Sequence, residues 1–306
     1  MDITLNTKQL KKLTDEWVGY FVERPEKLFQ HDEKFPNTDE CLSLIAKSNG
    51  FQITAFAGKV QNSFSHQDRL PDLGDLNLLA RLRAIQILAN KPLRIIFDGE
   101  FYADIFDEEL HYITKYEAKL TEYSKLIELN KEFDSSATFY TVPELLKLTG
   151  HSMKDLESRI EYYTENPLEA YKLVETRPHE LSNKISRLIK DNGHKYTNDD
   201  VLEIGSKFII KKAALAEIIE VLHESDNYQR ITILKYSKSN NPRIRTEMKY
   251  APWNATILFK GSYLNINTAT SGSFEEFKND KRNFQIYNED KTFLGFTRKP
   301  HIFENL

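Results

Sequence analysis

A carboxylate delivered into a turn at the end of a buried strand can do chemistry, and Leu93-Arg94-Ile95-Ile96-Phe97-Asp98-Gly99 has that form. The apolar run reads as a buried strand whose carboxyl end carries Asp98 into a turn, with a second carboxylate, Asp104, shortly after. Open α/β sheets bind ligands at this edge. Carboxylates there relay protons when burial raises a pKa toward neutrality. The same residues also admit a plain reading, with Asp98-Gly99 a tight turn and Asp104 a helix cap. Upstream, Phe51-Gln52-Ile53-Thr54-Ala55-Phe56 alternates apolar and polar residues before Gly58-Lys59. Lys59 is thereby a candidate point charge for a phosphate or carboxylate just past a second strand end.

The elements that must position these groups follow from periodicity. Leu10, Leu13, Trp17, Tyr20, Phe21 and Leu28 recur at helical spacing, which predicts a helix from Thr7 to about Leu28. Asn37 or Thr38 caps a second helix through Ala46, ending near Asn49-Gly50. After a polar stretch, Leu70-Pro71-Asp72-Leu73-Gly74-Asp75 leads into an amphipathic helix that stops at Asn90-Lys91-Pro92. Strand, loop, helix and strand in this order predict a right-handed parallel crossover, which puts the Lys59 and Asp98 ends on one edge of the sheet. A charged helix is expected from Glu108 to about Lys131, its charges forming a solvated face. Ala137-Thr138-Phe139-Tyr140 predicts a further strand, with Thr141 capping a helix that has Pro143 in its first turn. From His151 to about His223 the pattern is mostly helical, and the last third is β-rich, with strands expected at 231–234, 255–259 and 263–267. Pattern leaves open whether those strands extend the first sheet or form a second.

The fold class expected is α/β, a Rossmann-like mixed sheet with flanking helices, a helical middle and a β-rich C-terminal part. The soft boundary near Gly193 divides it into 1–193, an α/β domain with a helical insertion, and 194–306, an α+β part completing the pocket.

Composition narrows the function classes. The chain has 306 residues, 40% of them hydrophobic, and a formal net charge of -4, which provides no broad cationic field for nucleic acid or anionic membrane. Recognition of a phosphate must then be local. The single cysteine, Cys41, excludes an intrachain disulfide and any multi-cysteine metal site, and reads as a small buried apolar side chain. No window approaches the roughly 20 apolar residues of a membrane span, and Met1-Asp2-Ile3-Thr4 lacks a signal pattern, so a cytoplasmic protein is expected. Phosphate-loop, dinucleotide, zinc-protease and nucleophile-elbow motifs are missing, and the eight histidines show no ligand spacing.

Read in order, several segments resemble the isonitrile synthase family of pyoverdine and dityrosine biosynthesis. Asp98-Gly99 with Asp104 is similar to the strand-turn stretch that marks that family. Phe56-Ala57-Gly58-Lys59-Val60-Gln61-Asn62 resembles its aromatic-Pro-Phe-Lys-Ser-Pro-Asn loop without the prolines, and Leu70-Pro71-Asp72 its Leu-Pro-Asp stretch. Arg81 falls where the family tends to carry a basic residue. Arg230-Ile231-Thr232-Ile233 resembles the family's Arg-Leu-Ser-Ile strand, Ala251-Pro252-Trp253-Asn254 its Thr-Pro-Trp-His-Asn segment, and Arg298-Lys299-Pro300 its Gly-Arg-Pro close. Two departures stand out: the family's His-Pro after the strand is Leu234-Lys235 here, and the histidine after Pro-Trp is Asn254. Neither Leu nor Asn can move protons as histidine does near neutral pH.

The resemblance implies conversion of the amino group of tyrosine, tryptophan or a related amine to an isonitrile, with ribulose 5-phosphate as carbon donor and no metal or redox cofactor. It implies Lys59, Asp98 and Asp104 as catalytic residues, and Asn62, Arg81, Arg230, Lys235, Trp253 and Asn254 as substrate-binding ones. Arg81 and Arg230 are the candidates for bidentate contacts to an anion, and Trp253, otherwise a core tryptophan, for an apolar wall. The partners implied are small molecules, an amino acid and a pentulose phosphate. The alternative is a family scaffold that has lost catalysis and serves as a small-molecule binding or regulatory module.

Overall fold

The structure, a computed structural model, describes residues 2–28, 38–55, 70–105, 110–133, 139–181, 197–231, 281, 284–297, 303 and 306. After strand β1 (Asp2–Leu5), helix α1 (Thr7–Glu23) opens on a capping box: Asn6 accepts from the Gln9 amide, and the Gln9 side chain accepts from the Asn6 amide. It buries Leu10, Leu13, Trp17 and Phe21. The expected continuation to Leu28 fails because Pro25 follows. Proline disfavours helical backbone in the residue before it, and Arg24 sits at φ -132°, ψ 66° before a 3-10 turn at Pro25–Lys27.

Helix α2 (Thr38–Lys47) leads to strand β2 (Gly50–Ala55). Helix α3 (Leu73–Ala89) starts on the Asp72/Asp75 capping box and ends at Asn90 in the left-handed region, two residues before Pro92. It was expected to be amphipathic, yet its whole first four turns, Leu73 through Gln86, are buried. The reason is position: α3 is packed between the sheet and α1, so both its faces look into protein. Its polar residues therefore need internal partners. Arg83 forks onto the carboxylate of Glu132, and Gln86 pairs with Asn130.

Strand β3 (Leu93–Phe97) pairs parallel with β2, Ile53 opposite Ile95 and Ala55 opposite Phe97, so the expected parallel crossover is present. A short helix α4 (Gly99–Tyr102) and a 3-10 turn (Ala103–Ile105) precede helix α5 (Leu110–Leu126). This helix stops before the expected Lys131 because Glu128 and Asn130 take positive φ. In that conformation the Asn130 side chain accepts from the Leu93 amide at 2.8 Å and donates to the Leu93 carbonyl at 2.7 Å. Strand β4 (Phe139–Thr141) then joins β3, and helix α6 (Val142–Leu148) carries the expected Thr141 cap, Pro143 and a Glu144 capping box.

Helices α7 (Met153–Glu165), α8 (Pro167–Leu173) and α9 (Asn198–Asp226) complete the helical middle. Strand β5 (Tyr228–Ile231) then joins the other side of β2, giving a four-stranded parallel sheet of order β4-β3-β2-β5. The strand begins earlier than the expected Ile231, because Gly50 leaves a seat for the Tyr228 ring. A Cβ on Gly50 would lie 2.7 Å from Tyr228 Cζ and 2.9 Å from the Pro92 carbonyl oxygen. One face of the sheet, through Phe51, Ile53, Leu93, Ile95 and Phe97, shares a core with α1, α2, α3 and α5. The other, through Ile96, shares one with α6, α7, α8 and α9.

Of the two arrangements the pattern leaves open for C-terminal strands, a second sheet is present. Strands β6 (Phe284–Asn288) and β7 (Phe293–Thr297) form an antiparallel hairpin, and β1 adds to it in parallel, Ile3 opposite Ile286. The Glu289 carboxylate accepts from the Thr7 amide at 3.2 Å, which sets a negative charge at the start of α1. Strands from both sides of the expected boundary near Gly193 thus share each sheet. The strands expected at 255–259 and 263–267 lie outside the described residues. No helix among the described residues is long and apolar enough to cross a membrane.

Candidate functional site

The parallel strands end together, and α3 and α4 begin at that edge. Along the sheet the chain moves from β2 to β3 to β4 in one direction, then returns to place β5 on the far side of β2. The carboxyl ends of β2 and β5 therefore flank the point where the strand order reverses, the place where open α/β sheets hold ligands. The chain leaves these strands at Ala55 and Ile231. Lys59, Asn62, Lys235, Trp253 and Asn254, along with Leu234, lie outside the described residues. The Arg230 backbone pairs opposite Gln52.

Asp98 stands at the carboxyl end of β3, half-buried, at φ -112° and ψ 6°, a sparsely populated backbone region where many active-site residues sit. It occupies the N-cap position of α4, yet its side chain makes no capping hydrogen bond to that helix. One of its oxygens, Oδ1, is fully buried. Its carboxylate instead belongs to a group with Glu100 on α4 and Glu117 on α5. Partial burial first, and then the charges of Glu100 and Asp98, push the Glu117 carboxyl from 4.5 up to about 8. At neutral pH Glu117 therefore holds a proton beside two other carboxyl groups.

A second acidic pair adjoins through the same helix. Asp72 Oδ1 accepts from the Gly74 amide at 2.7 Å and Asp75 Oδ2 from the Asp72 amide at 2.9 Å, which closes the first turn of α3. Tyr116, next to Glu117 in the chain, is fully buried close to this pair. Burial first, and then the charges of Asp75 and Asp72, raise its pKa well above the ordinary tyrosine value. Tyr123 is raised too, by burial and then the charge of Glu122. Both phenols thus stay protonated near the carboxylates of α3.

The two other described candidates stand elsewhere. Asp104 is largely exposed and bonds Lys211 of α9 at 2.6 Å, so the structure groups Asp98 with Glu100 and Glu117 and gives Asp104 an ion pair between layers. Arg81 is buried between α1 and α3, its guanidinium 4.9 Å from the Phe21 ring centroid and 3.4 Å from the Leu28 carbonyl oxygen. Those contacts suit a clamp on the end of α1. Neighbouring it by one helical turn, Asn77 is fully buried with both amide atoms unpartnered.

Glu117 was missed because the α5 charges read as a solvated face. The available signal was spacing: Ile113, Tyr116, Glu117 and Leu120 fall on one helical face, so a glutamate interrupts an apolar stripe. Among the described residues no group of three or more His, Cys, Asp or Glu side chains is placed to hold a metal ion. Comparison of the chain with family models, with curated proteins and with solved structures returns no match.

Proposed function

We propose that the chain is a cytoplasmic, Rossmann-like enzyme of the isonitrile synthase type. It would join the amino group of tyrosine, tryptophan or a related amine to the ketone carbon of ribulose 5-phosphate and carry the product on to an isonitrile. The observation that carries this reading is the protonated Glu117 beside Asp98 at the carboxyl edge of the parallel sheet. Condensation of an amine with a ketone requires a proton delivered to the departing oxygen and others taken from nitrogen and carbon. Glu117 is the donor, its pKa near working pH, and the Asp98 carboxylate is the acceptor. The acidic surround of Asp98, Glu100 and Glu117 also suits a protonated amine.

In this reading Lys59, Asn62, Arg230 and Lys235 hold the anionic ends of the two substrates, and Trp253 and Asn254 form a wall for the aromatic ring. Arg81 and Asp104 have structural parts. The chemistry calls for no metal or redox cofactor. Incubating the purified protein with ribulose 5-phosphate and each candidate amine, then reading the product by mass spectrometry, tests it. An isonitrile product is expected. No turnover together with no saturable binding of the sugar phosphate overturns it, whereas ligand-induced thermal stabilisation without turnover would assign the chain to the binding-module alternative.

A further inference from the structure

Asp98 and Glu100 lie at the start of a four-residue helix, too short to hold its own orientation. Its other end is tied by one side chain from the opposite layer. Lys211, on α9, donates from Nζ to the Phe101 carbonyl at 2.7 Å and to Asp104 Oδ1 at 2.6 Å. Its ammonium also lies 4.9 Å from the Phe101 ring centroid, and 18% of the side chain is exposed. The Phe101 carbonyl belongs to the last turn of α4, where no intrahelical donor remains. Beside it the Tyr102 ring packs 5.0 Å from that of Phe208, one turn before Lys211 on α9.

We propose that Lys211 is a positioning residue: it fixes α4 and the following 3-10 turn on α9 so that Asp98 and Glu100 face Glu117. The proposal rests on the reading of that carboxyl group as the site. Lys211 bonds to neither Asp98 nor Glu117, so its effect runs through the backbone of α4. Glu117 is faced from α4 and its N-cap by Glu100 and Asp98; on the α3 side, Asp72 and Asp75 act on the neighbouring Tyr116.

Two kinds of action predict opposite signs. If Lys211 acted as a charge alone, removing it would raise the proton affinity of Glu117, since a cation favours the ionised carboxylate. If it acts by position, its loss frees α4, Asp98 and Glu100 move away into water, and Glu117 titrates lower.

The test is a pH titration by NMR of protein carrying 13C-labelled glutamate carboxyls, with Glu117→Gln identifying the Glu117 resonance. The wild-type midpoint is expected near 8. In Lys211→Met it should fall by about one unit or more, and Lys211→Arg, which keeps the cation and its donors, should restore it. Should Lys211→Met not fold, Lys211→Gln takes its place. An unchanged or higher midpoint in the variant overturns the proposal, as does a wild-type Glu117 that titrates as an ordinary carboxyl. The readout needs no substrate, so its failure is distinct from a failure of turnover.

Discussion

Replacing Glu117 by glutamine should remove most of one pH-dependent contribution to stability while leaving the fold intact. The carboxyl is raised from 4.5 to about 8, so the folded state binds a proton that the unfolded chain gives up between those pH values. Its contribution is fully present below about pH 4.5, fades as pH rises, and is gone above about pH 8. At about 1.4 kcal/mol per unit the ceiling approaches 5 kcal/mol, and solvent screening of this half-buried side chain reduces it to about 2 kcal/mol. A chain of 306 residues has an unfolding entropy of about 0.6 kcal/mol/K. The expected signature is then about 3 °C. Glutamine mimics the protonated form, so variant and wild type should melt together near pH 5, and the variant should melt about 3 °C higher near pH 9. Thermal unfolding followed by circular dichroism across that range reads it directly. Parallel curves at all pH values would refute the burial and like-charge argument, and a gap that widened toward low pH would reverse its sign.

Asp98→Asn should leave the melting temperature within a few degrees of wild type and abolish turnover of the amine and ribulose 5-phosphate; unchanged kinetics would return Asp98 to a turn residue. Gly50→Ala must push its Cβ against the Pro92 carbonyl and the Tyr228 ring, so it should lower stability by about 1–3 kcal/mol in urea unfolding, and a neutral result would contradict the packing at that seat. Asn77→Leu removes a fully buried, unpartnered amide and should raise stability by about 1–2 kcal/mol; a loss would mean that the amide is satisfied after all.

The groups whose positions depend on near neighbours were legible. The strand ending at Asp98 and the Thr141-Pro143-Glu144 helix start are local patterns, written within a turn or a strand of sequence. The parallel crossover from β2 to β3 follows from the order of elements, since chain length between two strands forces their relative direction. Even the proline that shortens α1 was present to be read, although the apolar spacing across Leu28 pointed the other way.

What only the tertiary structure decided is who meets whom. Strand β1 finds its partner in β6 near the opposite end of the chain, and four residues carry too little pattern to announce it. Asp104 reads as a second carboxylate following Asp98, and only the tertiary structure pairs it with Lys211 on a distant helix. The same charged helix that reads as solvated places Glu117 against Asp98 and Glu100, because a helical stripe records which residues share a face and not what packs on it. Arg81 follows the same logic, its charge spent on Phe21 and the Leu28 carbonyl of another helix. Backbone preferences act over a few residues, whereas burial and Coulomb interactions act through space. For that reason the sequence by itself determined the strand that carries Asp98, and the packing of α4 and α5 determined that Glu117 keeps a proton beside it.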